Sequence, residues 1–208
     1  GLGIDAELVG DESLSNRPME RIAKPLREMG AEIHLKEGKP PIKIAKSNIA
    51  DEFIYDLEIP SAQIKSCLLL AALSAGTKIK IIEKETTRNH TELLLQHLDA
   101  DLMVKKSNGA TEITLDATKP ITAKDVFVPG DFSSAAFLIG AALISKDADI
   151  SIENVGINPT RIGFLEVLKE MNANIKIENV REANNEQIGD IHVKYSPLKS
   201  VTVAKDII

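Results

Sequence analysis

The sequence of 208 residues contains one cysteine, no tryptophan and only 3% aromatic residues. Because a disulfide needs two cysteines and Cys67 is the only one, no disulfide can form within this chain. The position of Cys67 in an apolar run predicts that it is a core residue without chemical function. No spacing of cysteine and histidine resembles a zinc site, so no metal site is expected.

Basic residues are also in the minority, with 25 Lys and Arg against 31 Asp and Glu and a formal net charge of -6. A nucleic-acid partner is not expected, since neutralising a phosphate backbone needs a basic face, although a local basic pocket for a small anion is compatible with this charge. The apolar runs are well short of the ~20 residues that span a bilayer, and the first residues lack the features of a signal peptide. We therefore expect no membrane association and a cytoplasmic location.

What is present is the composition of a globular protein, with 43% hydrophobic and 27% charged residues. The length suits one large domain or two small ones. The chain begins without methionine and ends in a β-patterned stretch. Because domains normally end in polar, poorly ordered residues, these ends indicate an excised piece.

An internal repeat of roughly 70 residues organises the chain. Segments that begin at Arg17, Arg88 and Arg161 share the order of amphipathic helix, short turn and alternating strand. Two further helices are predicted at residues 64–74 and 132–144. These helices are apolar nearly all round, which is typical of buried helices.

The repeated unit is therefore a buried helix, a strand, an amphipathic helix, a strand and a further strand, such as residues 111–115 or 190–195. Such units predict an α/β fold with helices inside and sheets outside. The alternative is a coincidental similarity of helix–strand pairs in an ordinary α/β domain. A Pro-Gly pair between two copies predicts a domain crossover near Val128, which divides the chain into domains 1–128 and 129–208.

Three predicted helix starts carry polar groups suited to anions, because a helix N-terminus presents unpaired N–H groups and a positive dipole end. At the first, Arg17 precedes a proline; the alternative makes Ser15 or Asn16 a cap and Arg17 a surface charge. At the second, Ser61 predicts an N-cap. Gln63 is polar in an otherwise apolar helix, so a ligand or a structural hydrogen bond is expected as its partner.

At the third start, Thr87, Arg88 and His90 share one turn, and a guanidinium binds phosphate or carboxylate bidentately. His90 is either a general base or, as is commoner near a helix start, a cap or packing residue. Asp131 is a suitable N-cap for the corresponding helix of the next copy, is expected to lack a basic neighbour and is interpreted as structural or as part of a hinge. No Ser/His/Asp order, P-loop, GxGxxG pattern or pair of carboxylates suggests a catalytic residue.

Five ordered stretches resemble the 5-enolpyruvylshikimate-3-phosphate synthase family, especially its bacterial class II branch. They are GDESLSNRPM at 10–19, SAQIKS at 61–66, TRNHTE at 87–92, VPGDFSSAAF at 128–137 and NPTRIGFLEVLKEM at 158–171. The related UDP-N-acetylglucosamine enolpyruvyl transferases share the fold but do not carry the first stretch in this form. The resemblance implies an inside-out α/β fold of two domains, each of three βαβαββ units.

The resemblance also implies an activity and a set of substrate-binding residues. Enzymes of this family transfer the enolpyruvyl group of phosphoenolpyruvate to the 5-hydroxyl of shikimate 3-phosphate, and no cofactor is expected. By the matched motifs, Arg17 binds phosphoenolpyruvate. Ser61 and Gln63 hold shikimate 3-phosphate, with Gln63 also near phosphoenolpyruvate, and Arg88 contacts shikimate 3-phosphate. Ala62 stands where other branches have a second serine, so it offers only its backbone N–H. Thr87 stands where a serine often contacts shikimate 3-phosphate.

Other groups that the family needs find no match in this chain: an N-terminal lysine, serine and arginine set, an aspartate base, a Lys-Glu pair and two arginines. We therefore expect no catalytic residue here and no turnover by the 208-residue chain alone. Residues 1–128 would belong to the N-terminal, substrate-binding domain and 129–208 to the C-terminal domain of a protein that is a monomer when complete. Two other hypotheses are a non-catalytic anion-binding module and a structural protein with a decayed site.

Overall fold

The computed structural model describes residues 4–107 and 109–203. The helices in these ranges are α1 (Glu12–Ser15), α2 (Glu20–Glu28), α3 (Ala62–Ala75), α4 (His90–His97), α5 (Phe132–Ile144) and α6 (Gly163–Glu170). The strands are β1 (Ala6–Leu8), β2 (Glu32–Lys36), β3 (Lys39–Ala45), β4 (Glu52–Leu57), β5 (Lys78–Glu83), β6 (Asp101–Ser107), β7 (Ala110–Asp116), β8 (Asp149–Gly156), β9 (Asn174–Ala183) and β10 (Glu186–Lys194).

The chain divides into two compact units, between Ala123 and Lys124. This division lies close to the crossover predicted near Val128. The assignment of residues 1–128 and 129–208 to the two domains of a larger protein stays a prediction.

The first unit contains two sheets that share one strand arrangement. One sheet has the order β4-β5-β7-β6, with β4 parallel to β5 and with β7 antiparallel to both β5 and β6. Since α3 joins β4 to β5 and α4 joins β5 to β6, residues 52–116 form a complete βαβαββ unit. The other sheet has the order β1-β3-β2 and is antiparallel, with α2 between β1 and β2, so it matches the last three strands of that unit.

The second unit repeats the same arrangement. Its sheet has the order β8-β10-β9 and is antiparallel, with α5 before β8 and α6 between β8 and β9. Gly130 forms a parallel bridge with Val155 of β8, in the place that β4 occupies beside β5. The internal repeat predicted from the sequence is therefore confirmed.

Local sequence signals explain the bounds of the two apolar helices. Ser61 and Asp131 cap α3 and α5, each through a side-chain oxygen that accepts a backbone N–H three residues later. Helix α3 ends at Gly76, whose φ of 67° lies in the left-handed region that glycine adopts readily. The prediction for 132–144 coincides with α5, and the prediction for 64–74 is two residues too short at the N-terminus and one at the C-terminus.

Each unit has its own hydrophobic core. The core of the first unit is formed by α3 with α2, α4 and the strands β4 to β7, and includes Leu68, Ile81 and Ile113 with no exposed surface. In the second unit, α5 and α6 pack on β8 and β10. Both apolar helices also present exposed apolar side chains, such as Leu70, which is 51% exposed, and Phe137, which is 82% exposed.

Within 4–107 and 109–203, the longest apolar helices fall below the length needed to cross a membrane. In the same ranges, no group of three or more His, Cys, Asp or Glu side chains is placed to hold a metal ion. Cys67 is half-buried on α3, and burial raises the pKa of its thiol, which keeps it protonated and weakly nucleophilic.

Candidate functional site

The start of α3 carries three of the predicted site residues. Ser61 is the N-cap, and its Oγ accepts from the Ile64 backbone N–H over 3.5 Å. Ala62 is the first residue of the helix. Gln63 is exposed and its side chain makes no hydrogen bond within the described residues, so of the two alternative partners the structural hydrogen bond is not formed.

Arg88 lies in the short connection between β5 and α4. The Thr87 backbone N–H donates to Glu83 Oε1 over 2.8 Å, which fixes this connection to the end of β5. The Arg88 guanidinium is exposed and has no ion pair or hydrogen bond among the residues that the structure describes. It is therefore available to an anion. His90 is half-buried at the first position of α4.

A buried charge cluster lies between these two segments. Lys65 Nζ is 3.1 and 3.3 Å from the two carboxylate oxygens of Glu83 and 2.7 Å from Glu92 Oε1, and all three side chains are at most 4% exposed. Beside it, Ser66 Oγ lies 2.6 Å from Thr91 Oγ1. The first two turns of α3 are thus tied to both ends of the segment that carries Arg88.

Sequence reasoning missed this cluster. Lys65 is the only charged residue between positions 62 and 75, and a single lysine in an apolar helix was a signal that it needed a buried carboxylate partner. In the described parts of the chain, Thr87 Oγ1 and Glu92 Oε2 are buried without a hydrogen-bond partner. A buried polar atom without a hydrogen bond costs free energy, so these two atoms offset part of the stability that the ion pairs and hydrogen bonds around them provide.

Arg17 lies in the turn between α1 and α2. Its backbone N–H donates to Leu14 O, and its exposed guanidinium makes no ion pair or hydrogen bond within residues 4–107. Helix α2 packs against α3, and Lys24 of α2 lies 3.8 Å from Glu58, just before the start of α3. No hydrogen bond or ion pair in that range joins Arg17 to Ser61, Gln63 or Arg88.

The cap proposed for the helix after Arg17 is wrong. Helix α2 begins at Glu20, and its N-cap Met19 makes no side-chain capping bond. Asn16 instead ends the separate short helix α1, and Ser15 Oγ donates to the Gly10 carbonyl. The proline after Arg17 separates the two helices because the residue before a proline avoids helical geometry.

The second unit has an equivalent helix start with a different electrostatic pattern. Asp131 Oδ2 accepts from the Ser134 backbone N–H over 2.9 Å, and Arg161 Nη2 lies 3.1 Å from Asp131 Oδ1 and 2.5 Å from Ser133 Oγ. The interpretation that Asp131 lacks a basic neighbour is therefore wrong, because its partner is 30 residues away in sequence. Arg161 precedes α6 as Arg88 precedes α4.

The pKa of Asp131 lies below its usual value, chiefly because the Ser134 backbone and hydroxyl donate to its carboxylate and also because Arg161 is close. Stability from such a group is fully present above the unfolded-state pKa of about 4 and is lost as the pH falls through the lower folded-state value.

We expect Asp131→Asn, which keeps a capping oxygen but no charge, to lower the melting temperature at pH 7 and to match the parent near pH 2. Thermal unfolding followed by circular dichroism from pH 2 to 7 measures this, and a difference that is constant with pH would contradict it.

Comparison with known proteins identifies the family. The family model of EPSP synthase (3-phosphoshikimate 1-carboxyvinyltransferase) matches residues 2–207. Curated relatives named 3-phosphoshikimate 1-carboxyvinyltransferase, from Hydrogenovibrio crunogenus and Clostridium tetani, are 42% and 39% identical over 100% of this chain and over 47% and 46% of their own lengths. The chain thus spans about half the length of the curated relatives it matches.

A solved structure of EPSP synthase from Acinetobacter baumannii superimposes with a TM-score of 0.79 and 43% sequence identity, covering 99% of this chain and 46% of that one. With 43% sequence identity, the two chains are similar in sequence as well as in fold. The expected inside-out α/β fold is confirmed, and the chain belongs to the EPSP synthase family.

Proposed function

We propose that this chain is part of a 3-phosphoshikimate 1-carboxyvinyltransferase of the cytoplasm. The reaction transfers the enolpyruvyl group of phosphoenolpyruvate to the 5-hydroxyl of shikimate 3-phosphate and releases phosphate. The observation that carries the proposal is the match of the family model over residues 2–207. The first unit would belong to the N-terminal, substrate-binding domain and the second to the C-terminal domain of a protein that is monomeric when complete.

The start of α3 offers several donors to shikimate 3-phosphate. Ser61 Oγ accepts the cap hydrogen bond, which leaves its own O–H free to donate to a ligand. The N–H groups of Ala62 and Gln63 lie in the first turn, where helix geometry provides no intrahelical acceptor. The exposed Gln63 amide adds a further donor and acceptor. These groups, together with the positive end of the helix dipole, suit an anionic sugar-like ligand.

The two arginines supply the charge. Arg88 would contact shikimate 3-phosphate and Arg17 would bind phosphoenolpyruvate, and the exposure and lack of a partner described for both side chains support this assignment. A guanidinium that already had a carboxylate partner would have to lose it before it could bind a phosphate. The reaction also needs proton transfer, for which we assign no residue of this chain.

The assignment is tested by single replacements in a complete protein that contains this chain. Arg17→Ala should weaken the binding of phosphoenolpyruvate more than that of shikimate 3-phosphate, and Arg88→Ala should weaken the binding of shikimate 3-phosphate more. Each should lose about 1.5 to 3 kcal/mol, or about 10- to 150-fold in affinity, because a charge-assisted hydrogen bond is removed. Calorimetry with shikimate 3-phosphate and steady-state kinetics for phosphoenolpyruvate provide the two measurements.

Arg21 provides the matched control, since it is an exposed arginine on α2 that lies outside the matched motif positions. Arg21→Ala should change neither ligand by more than about twofold, within the ±0.5 kcal/mol typical of surface replacements. Equal losses for both ligands in both variants would contradict the assignment. Ligand binding without phosphate release by the complete protein would instead favour a non-catalytic anion-binding module. If neither ligand protects Arg17 or Arg88 from arginine-modifying reagents, a structural protein with a decayed site is favoured.

A further inference from the structure

Lys65 occupies an unusual position for a charged side chain. It lies one turn into α3, where its backbone N–H donates to Ser61 O, and its side chain is only 1% exposed. The ammonium group reaches away from the helix to the last residue of β5, Glu83, and to the first turn of α4, Glu92. One side chain therefore connects three elements of the complete βαβαββ unit.

The two carboxylates that Lys65 binds bracket the segment that carries Arg88. Glu83 lies just before this segment and Glu92 just after it, and Glu83 Oε1 also accepts from the Thr87 backbone N–H. The adjacent pair of Ser66 and Thr91 forms a second connection between α3 and the start of α4. The backbone on both sides of Arg88 is thus held by residues of α3.

Arg88 itself has no such support. Its side chain makes no ion pair or hydrogen bond within 4–107 and 109–203, so the direction in which it leaves the surface depends on the backbone of residues 87–89. A buried ion pair is a poor source of stability compared with apolar packing of similar volume, but it fixes geometry strongly because its partners cannot separate without leaving a buried charge unpaired.

We propose that Lys65, through Glu83 and Glu92, is a positioning residue that holds Arg88 beside the start of α3 for the binding of shikimate 3-phosphate. This inference rests on the proposed function, in which Ser61, Gln63 and Arg88 bind that ligand together. Positioning by a packed and hydrogen-bonded set of supporting residues is what a binding constellation needs to keep its geometry.

The test uses a complete protein that contains this chain, and measures the dissociation constant of shikimate 3-phosphate by calorimetry and the KM of phosphoenolpyruvate at saturating shikimate 3-phosphate. Lys65→Met should raise the dissociation constant of shikimate 3-phosphate at least tenfold and change the KM of phosphoenolpyruvate by less than threefold. In an Arg88→Ala background, Lys65→Met should have less than a threefold further effect on shikimate 3-phosphate, because the residue it positions is already absent. A purely structural role would give the same loss in both backgrounds.

Glu83→Gln is the second variant, since it keeps the shape of the side chain and an oxygen that accepts from Thr87 while removing the charge that Lys65 binds. It should raise the dissociation constant of shikimate 3-phosphate about fivefold, with the same dependence on Arg88. If Lys65→Met does not fold, Glu83→Gln alone provides the test. Folded variants that bind shikimate 3-phosphate within twofold of the parent, or that weaken both ligands equally, would overturn the inference while leaving the proposed function intact. If Arg88→Ala alone leaves shikimate 3-phosphate binding unchanged, the proposed role of Arg88 fails and the inference fails with it.

Discussion

Replacing Lys65 with methionine is expected to lower the free energy of unfolding of the first unit by about 3 to 5 kcal/mol. Methionine fills a similar volume, so the loss comes from electrostatics: Glu83 and Glu92, both nearly inaccessible to solvent, would lose their only cationic partner in the described residues. Urea unfolding monitored by circular dichroism measures the change. Hydrogen exchange of peptides from α3, β5 and α4 should locate it.

The matched control removes all three charges together. Because isolated buried charges, and not the missing attraction, account for most of the loss, the triple variant Lys65→Met, Glu83→Gln, Glu92→Gln should recover at least half of the stability lost in Lys65→Met. A triple variant that is less stable than the single one would show that the ion pair itself stabilises the unit. In that case, packing around methionine would not explain the result, since methionine is common to both variants.

The second large effect is expected in the apolar core of the same helix. Leu68→Ala should destabilise the first unit by about 2 to 5 kcal/mol, since Leu68 has no exposed surface and its removal leaves a cavity among close-packed side chains. Denaturant unfolding with a constant m-value gives the measurement.

Leu70, two residues along α3, is the control because it is 51% exposed. The same chemical change there should alter stability by no more than about 0.5 kcal/mol, and alanine has a slightly better helix propensity than leucine. Similar losses at both positions would mean that Leu70 is covered in solution. The helix would then bury more of its surface than the structure shows.

The fold could be predicted to a large extent because its signals are local. Helix periodicity, the caps Ser61 and Asp131, and the alternation of apolar residues in strands such as β7 all act over a few residues. Repetition of the same signals about every 70 residues then gave the order of elements. The bounds of α5 were predicted without error, since Asp131 at its start and the polar residues after Ile144 are both strong signals.

The charge contacts of the site could not be predicted in the same way. Lys65 meets Glu83 and Glu92 across 18 and 27 residues, and Asp131 meets Arg161 across 30. No spacing rule links such pairs, because the sheet that brings them together is formed by long-range strand pairing. Family resemblance supplied Arg17, Ser61, Ala62, Gln63 and Arg88 as candidates, while their supporting residues became visible only in the folded structure.

The pairing of Arg161 with Asp131 has a consequence for how a duplicated fold acquires selectivity. An anion that approaches Arg161 must compete with a carboxylate of the same chain, which is always present at high local concentration, whereas the exposed Arg88 guanidinium has no such competitor among the described residues. Two arginines at equivalent places in repeated units thus differ in availability without any difference in the residue itself. A single aspartate at the start of the neighbouring helix is enough to give one of the two arginines an ion-pair partner within its own unit.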